Sequence, residues 1–184
     1  MVKEKSKNIK VQTISRKDPK TSFNIARENA FYIVGFVDGE GSFNISFKIR
    51  KDYSRGIQVY PSFNISQKEK DILEWIQNQL GCGTIRNRGD GVYYYEVHSL
   101  KDLTEIIIPF FNKYKLKTKK QKAFKIFSEI VQIICSKDLE WKDIKEIFYL
   151  REQIVVGRKR KYSLEDLRQF WKSSETIRQT DRNV

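Results

Sequence analysis

Two carboxylates one glycine apart, in Asp38-Gly39-Glu40-Gly41, close the apolar run Ile33-Val34-Gly35-Phe36-Val37. With the upstream Asn29-Ala30-Phe31-Tyr32, this run predicts a helix from about Glu28 to Asp38, roughly three turns long, with almost no polar face. Such a helix is expected to be buried nearly all round. Asp38 and Gly39 end it and leave Glu40 just past its C-terminus, where the helix dipole disfavours a carboxylate unless a cation is near. Carboxylate oxygens suit hard divalent cations, so the pattern points to a metal. Gly35 in mid-helix costs about 1 kcal/mol relative to Ala, which is tolerated where another backbone comes close; a second helix is the expected neighbour.

Downstream, polar side chains repeat with a period of two. Phe43, Ile45, Phe47 and Ile49 alternate with Ser42, Asn44, Ser46, Lys48 and Arg50, and Ile57, Val59, Phe63 and Ile65 alternate with Gln58, Tyr60, Ser62, Asn64 and Ser66. These are two half-buried strands paired with each other, with Pro61 marking an edge or a bulge in the second. Their polar faces are rich in Asn, Gln, Ser and Arg, which can read base edges in a major groove; a face selected for solubility alone would carry Lys and Glu. Residues 83–88 and 92–97, around the turn Gly89-Asp90-Gly91, read as a hairpin with Thr84, Arg86 and Arg88 on one face and Tyr94 and Glu96 exposed. Arginines two residues apart on a strand point the same way about 7 Å apart, suited to guanine edges or successive phosphates. The alternative, surface arginines neutralised by neighbouring acids, is weakened by the few acids nearby.

Helices must position these faces. Gln67-Lys68-Glu69-Lys70 opens one, with Ile72, Leu73, Ile76 and Leu80 at helical spacing, Trp75 in the core and Gly81 at its end. Leu103, Ile106, Ile107 and Phe110 mark a short helix that Pro109 should bend or end. The run Lys115-Leu116-Lys117-Thr118-Lys119-Lys120-Gln121 leads into a long amphipathic helix reaching Ile134. Cations at a helix start call for an anion, and phosphate is the expected one, met by Lys119 and Lys120. Leu139 to Ile154 reads as another helix, and Ser163-Leu164-Glu165-Asp166 as the capped start of a last one carrying Leu167, Phe170 and Trp171.

The 184 residues carry 36 lysines and arginines against 23 acids, a net charge of +13, which points to a polyanionic partner more than to solubility alone. No apolar run approaches the ~18 residues of a membrane span, so a soluble protein with no membrane partner is expected. Cys82 and Cys135 fit no metal-binding spacing and suit a reducing compartment. His98, the single histidine, argues against a histidine-based nuclease centre and is read as structural. Residues 1–27 read as a basic flexible arm or leader, and 28–184 as one domain with its core over 28–135 and C-terminal helices over 136–184.

The residues from Ile33 to Gly41 resemble the motif of the LAGLIDADG homing endonucleases, with Gly35 at its glycine, Asp38 at its first acid and Glu40 at its catalytic acid. Val34 departs from the usual alanine. The order helix, two strands, helix, two strands, helices is similar to that family's α+β fold. This is an αββαββα core whose four-stranded antiparallel sheet, covered on one side, forms a saddle for double-stranded DNA, here with added C-terminal helices. The resemblance implies that Glu40 and the Gly39 carbonyl hold Mg²⁺ or another divalent cation, that Gln67 orients solvent, and that Lys117, with Lys119 as its rival, is the active-site lysine. Asp71 stands where relatives carry an active-site arginine. The stretch with Ser174 and Arg178 resembles one that contacts the DNA backbone.

One copy of the motif and no internal repeat imply a homodimer joined through Val34, Gly35 and Asp38, on a nearly palindromic site on the order of 20 base pairs. The implied activity is hydrolysis of both DNA strands with a staggered break, serving intron or intein mobility, with no small-molecule substrate. The implied setting is intracellular: a mitochondrion, a chloroplast or a bacterial cytoplasm. An RNA-splicing maturase and a non-cutting DNA-binding regulator are the alternatives on the same fold.

Overall fold

Helix α1 (Arg27–Glu40) buries one side only: Ala30, Ile33, Val34 and Val37, at helical spacing, face the interior. On the other side Phe31 and Tyr32 are half exposed, and a Cβ added at Gly35 would meet nothing within 4 Å. The expectation of burial all round is therefore corrected, because a helix with two apolar sides has only one of them covered by its own chain. Val34, expected at the dimer interface, is 4 % exposed and lies in that core, sharing the inner stripe with Ile33 and Val37. The helix runs straight into a strand at Gly41, where a Cβ would come within 2.5 Å of Val37 Cγ1 and 2.8 Å of its carbonyl oxygen; only glycine fits this junction.

The computed structural model describes residues 25–50, 52–53, 55–136, 138–154 and 160–172. Residues 1–24 of the expected basic arm, and Ser174 and Arg178, lie outside the described residues. Strand β1 (Gly41–Ile49) pairs antiparallel with β2 (Ile57–Gln67), from Gly41 opposite Ile65 to Ile49 opposite Ile57. Helix α2 (Lys70–Leu80) ends at Gly81 in the left-handed conformation and leads to β3 (Thr84–Asn87) and β4 (Tyr93–Val97). Among the described residues these strands form one antiparallel sheet of order β1-β2-β4-β3, the expected α+β architecture.

Pro61 sits in β2, which is not an edge strand overall. However, β4 has already ended at Val97, opposite Phe63, so β2 is locally an edge where the proline falls. The chain continues through α3 (Leu100–Asp102), one π-helical turn (Leu103–Ile107) and α4 (Ile108–Lys113). The bend or stop expected at Pro109 takes the form of this π-turn, in which Ile108 N–H bonds Leu103 O just ahead of the proline. Helices α5 (Lys120–Ser136), α6 (Trp141–Ile154) and α7 (Leu164–Phe170) follow, the last opened by a Ser163–Asp166 capping box.

Helices cover one face of the sheet. Phe43 in β1 is the hub of that layer, its ring centroid 5.2–5.5 Å from those of Phe63, Phe111, Phe124 and Phe127. Each such ring contributes about 1.5–3 kcal/mol by burial. This layer fixes α1 and α5 against β1 and leaves the opposite face of the sheet open. Among the described residues no helix is long and apolar enough to cross a membrane.

Candidate active site and nucleic-acid interface

Leu116, 3 % exposed, anchors the loop ahead of α5 in the core, and Asp38 holds the two residues after it. Its carboxylate accepts from Lys117 N–H (2.7 Å), Thr118 N–H (3.2 Å) and the Thr118 hydroxyl (2.8 Å), and that hydroxyl accepts from Lys120 N–H (3.2 Å). Burial opposes the charged carboxylate, but these donors and the Lys120 charge together outweigh it and hold the Asp38 carboxyl below its usual range. Asp38 is thus an anion that meets the start of α5 within the chain itself.

With the loop held by its backbone, the side chains of Lys117 and Lys119 are exposed, and Lys120 is the lysine that reaches back to α1. Its Nζ donates to Gly39 O at 2.6 Å and Val37 O at 3.1 Å, placing a cation at the helix C-terminus next to Glu40. The expected active-site lysine is Lys117, with Lys119 as its rival; it is Lys120 whose side chain contacts the end of α1. Lys120, read from the sequence as a phosphate contact, takes this place because it is the first residue of α5 and projects toward the end of α1. Burial pushes the Lys120 pKa down, and so does Lys119; Glu40 and Asp38 only partly offset this.

On the open face, register aligns Ser42, Asn64, Glu96 and Thr84 across all four strands, then Asn44 with Ser62, Ser46 with Tyr60, Lys48 with Gln58, and Ser66 with Tyr94 and Arg86. A concavity of about 690 Å³ runs along this face, from Glu40 and Ser42 through Asn64 and Tyr94 to Lys48 and Tyr60. Asn64 is 5 % exposed, and its Nδ2 has no hydrogen-bond partner among the described residues. A buried donor in that state costs about 1–3 kcal/mol until an acceptor arrives.

Acids lie closer to the arginines than the sequence suggested. Arg86 Nη2 is 2.7 Å from Glu96 Oε2, and Arg88, in the turn beyond β3 rather than on the strand, is 3.3 Å from Asp90 Oδ2. Both guanidinium groups are mainly exposed, and such pairs contribute about 0–1 kcal/mol, less than the 1–3 kcal/mol of a bidentate base contact. Arg50, just past β1, pairs with Asp52 and donates to Gln58 Oε1 at 3.3 Å. Gln67 ends β2 opposite Tyr93, its Oε1 accepting from Lys68 N–H at 2.8 Å, and alternation turns it away from the face that Ser66 lines. Asp71 lies in the first turn of α2. His98, read as structural, stacks on Tyr60 at 5.4 Å while Lys48 Nζ lies 3.1 Å from the centre of the Tyr60 ring. Its parity with Tyr94 and Glu96 was the signal that would have placed it on this face.

Residues 33–131 match the family described as LAGLIDADG endonuclease. The chain is 34 % identical over 102 residues to homing endonuclease I-ApeII of Aeropyrum pernix, a match covering 54 % of this chain and 60 % of that one. Against a probable intron-encoded DNA endonuclease of Mycosarcoma maydis it is 36 % identical, over 50 % of its own length and 34 % of that relative's. The chain therefore spans less than two thirds of these relatives. It is 27 % identical to DNA endonuclease I-CreI of Chlamydomonas reinhardtii, over 86 % of this chain and 90 % of that one. Among solved structures, an archaeal intron-encoded homing endonuclease, I-Vdi141I complexed with DNA, superimposes with a TM-score of 0.68 at 29 % identity, over 83 % of this chain and 96 % of that one. I-SmaMI bound to uncleaved DNA target with calcium ions gives a TM-score of 0.68 at 30 % identity, over 77 % and 48 % respectively. With more than half of its length matched to the family, and with the same architecture as these structures, the chain belongs to the LAGLIDADG endonucleases.

Proposed function

We propose that this chain is a site-specific endonuclease of double-stranded DNA that works as a homodimer with a divalent cation, Mg²⁺ in the cell, and serves the mobility of its host intron or intein. The observation that carries this reading is Lys120 Nζ on the Gly39 carbonyl beside Glu40, at one end of a polar concavity lined by β1, β2 and β4. A carbonyl that accepts from a cation at 2.6 Å, next to an exposed carboxylate, is a set of hard oxygen donors that suits Mg²⁺. Glu40 and the Gly39 carbonyl would hold the cation, which when bound supplies water activation and stabilisation of the leaving 3′-oxygen.

The chain's own groups do the rest. Lys120 offsets negative charge developing at the phosphate. Asn64, Arg86 and the residues in register with them read base edges, because the face offers unspent or weakly held donors. Among the described residues no three His, Cys, Asp or Glu side chains converge, so a second Glu40 from a partner copy completes the ligand set. The outer side of α1, with Gly35 open between Phe31 and Phe36, is the surface that this copy covers. The DNA-bound relatives support duplex DNA as the partner.

Incubating the protein with a library of duplexes, with and without Mg²⁺, and sequencing the ends tests the reading. The expected product is a staggered break at one nearly palindromic site, formed only with the cation. Selective binding with no cleavage in Mg²⁺ or Mn²⁺ would overturn it in favour of a non-cutting regulator.

A further inference from the structure

Residues 160–172 form a strap between α6 and the β1–β2 turn, beside the free edge of β1. At one end Arg160 Nε donates to Glu152 Oε1 at 3.1 Å and its Nη2 to Arg151 O at 3.3 Å; at the other, Lys172 N–H donates to Arg55 O at 3.0 Å. In between, Arg160, Lys161 and Tyr162 wall the same concavity that Ser46 and Lys48 line from β1. Behind them Arg151 is 4 % exposed, its guanidinium 4.8 Å from the Phe47 ring centre and 4.7 Å from that of Phe148.

Among the described residues that line this concavity, the basic side chains Lys48, Arg151, Arg160 and Lys161 outnumber the acidic Glu40 and Glu96. Lys48 and Lys161 line the same concavity as Glu40 and Glu96, while Arg151 and Arg160 share the Glu152 carboxylate, whose Oε1 accepts from both Arg151 Nε (3.0 Å) and Arg160 Nε (3.1 Å). Arg151 Nη2 lies 2.8 Å from that same oxygen but has no hydrogen-bond partner among the described residues, the direction being wrong for a second bond. Burial lowers the pKa of Arg151, and Arg160 adds to the effect against the opposing pull of Glu152. Concentrated, partly desolvated positive charge beside an aqueous cleft is stabilised by an anion, and hydroxyls at Ser46 and Tyr162 can donate to one.

We propose that this wall is a phosphate site: Lys161, together with Lys48, Ser46 and the Tyr162 hydroxyl, takes one backbone phosphodiester of the DNA strand that passes β1, while Arg151 and Arg160 hold the wall in place and supply its field. The proposal rests on the DNA-binding reading above and adds a contact that positions the duplex without reading its sequence. It also gives the strap a purpose, since tying α6 to the β1–β2 turn sets the distance between the phosphate and the base-reading rows.

The experiment uses the full chain and the duplex selected from the library for binding. Lys161→Gln should weaken binding to every duplex alike, by about 5-fold per subunit at 0.15 M salt, and lower the slope of log K against log salt by about 0.9 per subunit contact. Lys161→Arg should restore both. A scan of single methylphosphonate linkages should find one position per half-site whose neutralisation weakens the wild type and no longer matters in Lys161→Gln. An unchanged salt slope in a folded Lys161→Gln protein, an altered base preference, or coupling spread evenly over all linkages would overturn the phosphate site alone. Wild-type protein that ignores duplex DNA altogether would overturn the endonuclease reading with it.

Discussion

Lys120 Nζ donates to the Gly39 carbonyl oxygen across 2.6 Å, tying the first residue of α5 to the last turn of α1. No basic residue occupies that last turn, so the cation at the C-terminus of α1 comes from a segment some eighty residues away in sequence. Lys120→Met should therefore reduce single-turnover cleavage by about 10²–10³-fold with little change in binding, as loss of one charge-stabilising donor does. Lys117→Met and Lys119→Met should stay within a few-fold of wild type. A larger loss in Lys117→Met than in Lys120→Met would return the role to Lys117.

Glu40→Gln should abolish cutting and spare binding, because it removes charge from the proposed cation site and leaves the register of the sheet intact. Gel-shift affinity alongside cleavage in Mg²⁺ checks this, and full activity in the variant would remove Glu40 from the chemistry.

Asp38→Asn should destabilise the chain by about 1 kcal/mol near neutral pH, the scale of a lost helix-start cap. The folded-state pKa of Asp38 is lowered, so its contribution is present above the unfolded value of about 3.9 and fades as pH falls through the lower folded value. Urea midpoints of the two proteins should differ at pH 6 and converge toward pH 2.5. A gap that does not change with pH would show that the carboxylate charge is not what holds Lys117 and Thr118.

The rows of the open face could be read from alternation alone, since a period of two assigns each side chain to one surface and burial of Phe43, Phe63 and Tyr95 leaves only one choice of surface. Which lysine contacts the end of α1 could not. Three lysines stand within four residues at the junction of a loop with α5, and the backbone there is held by Asp38, a partner some eighty positions away. The burial of Val34 was hidden for a related reason: apolar residues on both sides of α1 do not reveal which side the chain covers by itself. The strap's contribution to the cleft depends on α6 packing beside the β1 edge, which no local pattern records.

Gly35→Leu should weaken the homodimer without unfolding the monomer. A Cβ there would meet nothing within 4 Å beyond its own stretch of helix, yet a leucine would separate two helices whose axes normally pack 8–10 Å apart. Sedimentation velocity should show dissociation at concentrations where the wild type is dimeric, with the thermal midpoint of the monomer retained. A dimer of unchanged affinity would place the interface elsewhere.

Arg86 and Arg88 should separate reading from holding. Arg86 projects from β3 onto the open face in register with Tyr94 and Ser66, and Arg88 follows in the turn. Both guanidinium groups are mainly exposed, although Glu96 is largely covered, so exchange of either ion pair for a base edge gains about 1–3 kcal/mol where the match is right. Either residue changed to Ala should therefore relax preference at one base position, twice per site because the dimer repeats the contact. Glu96→Gln should leave Arg86 freer and widen the bases accepted at the Arg86 position. Lys161→Gln should instead weaken all sequences equally. Cleavage profiles over every single-base variant of the target, taken at two salt concentrations, distinguish these outcomes. If Arg86→Ala and Arg88→Ala leave the profile unchanged while binding weakens uniformly, both arginines hold phosphate and the sheet face is not where these two residues read sequence.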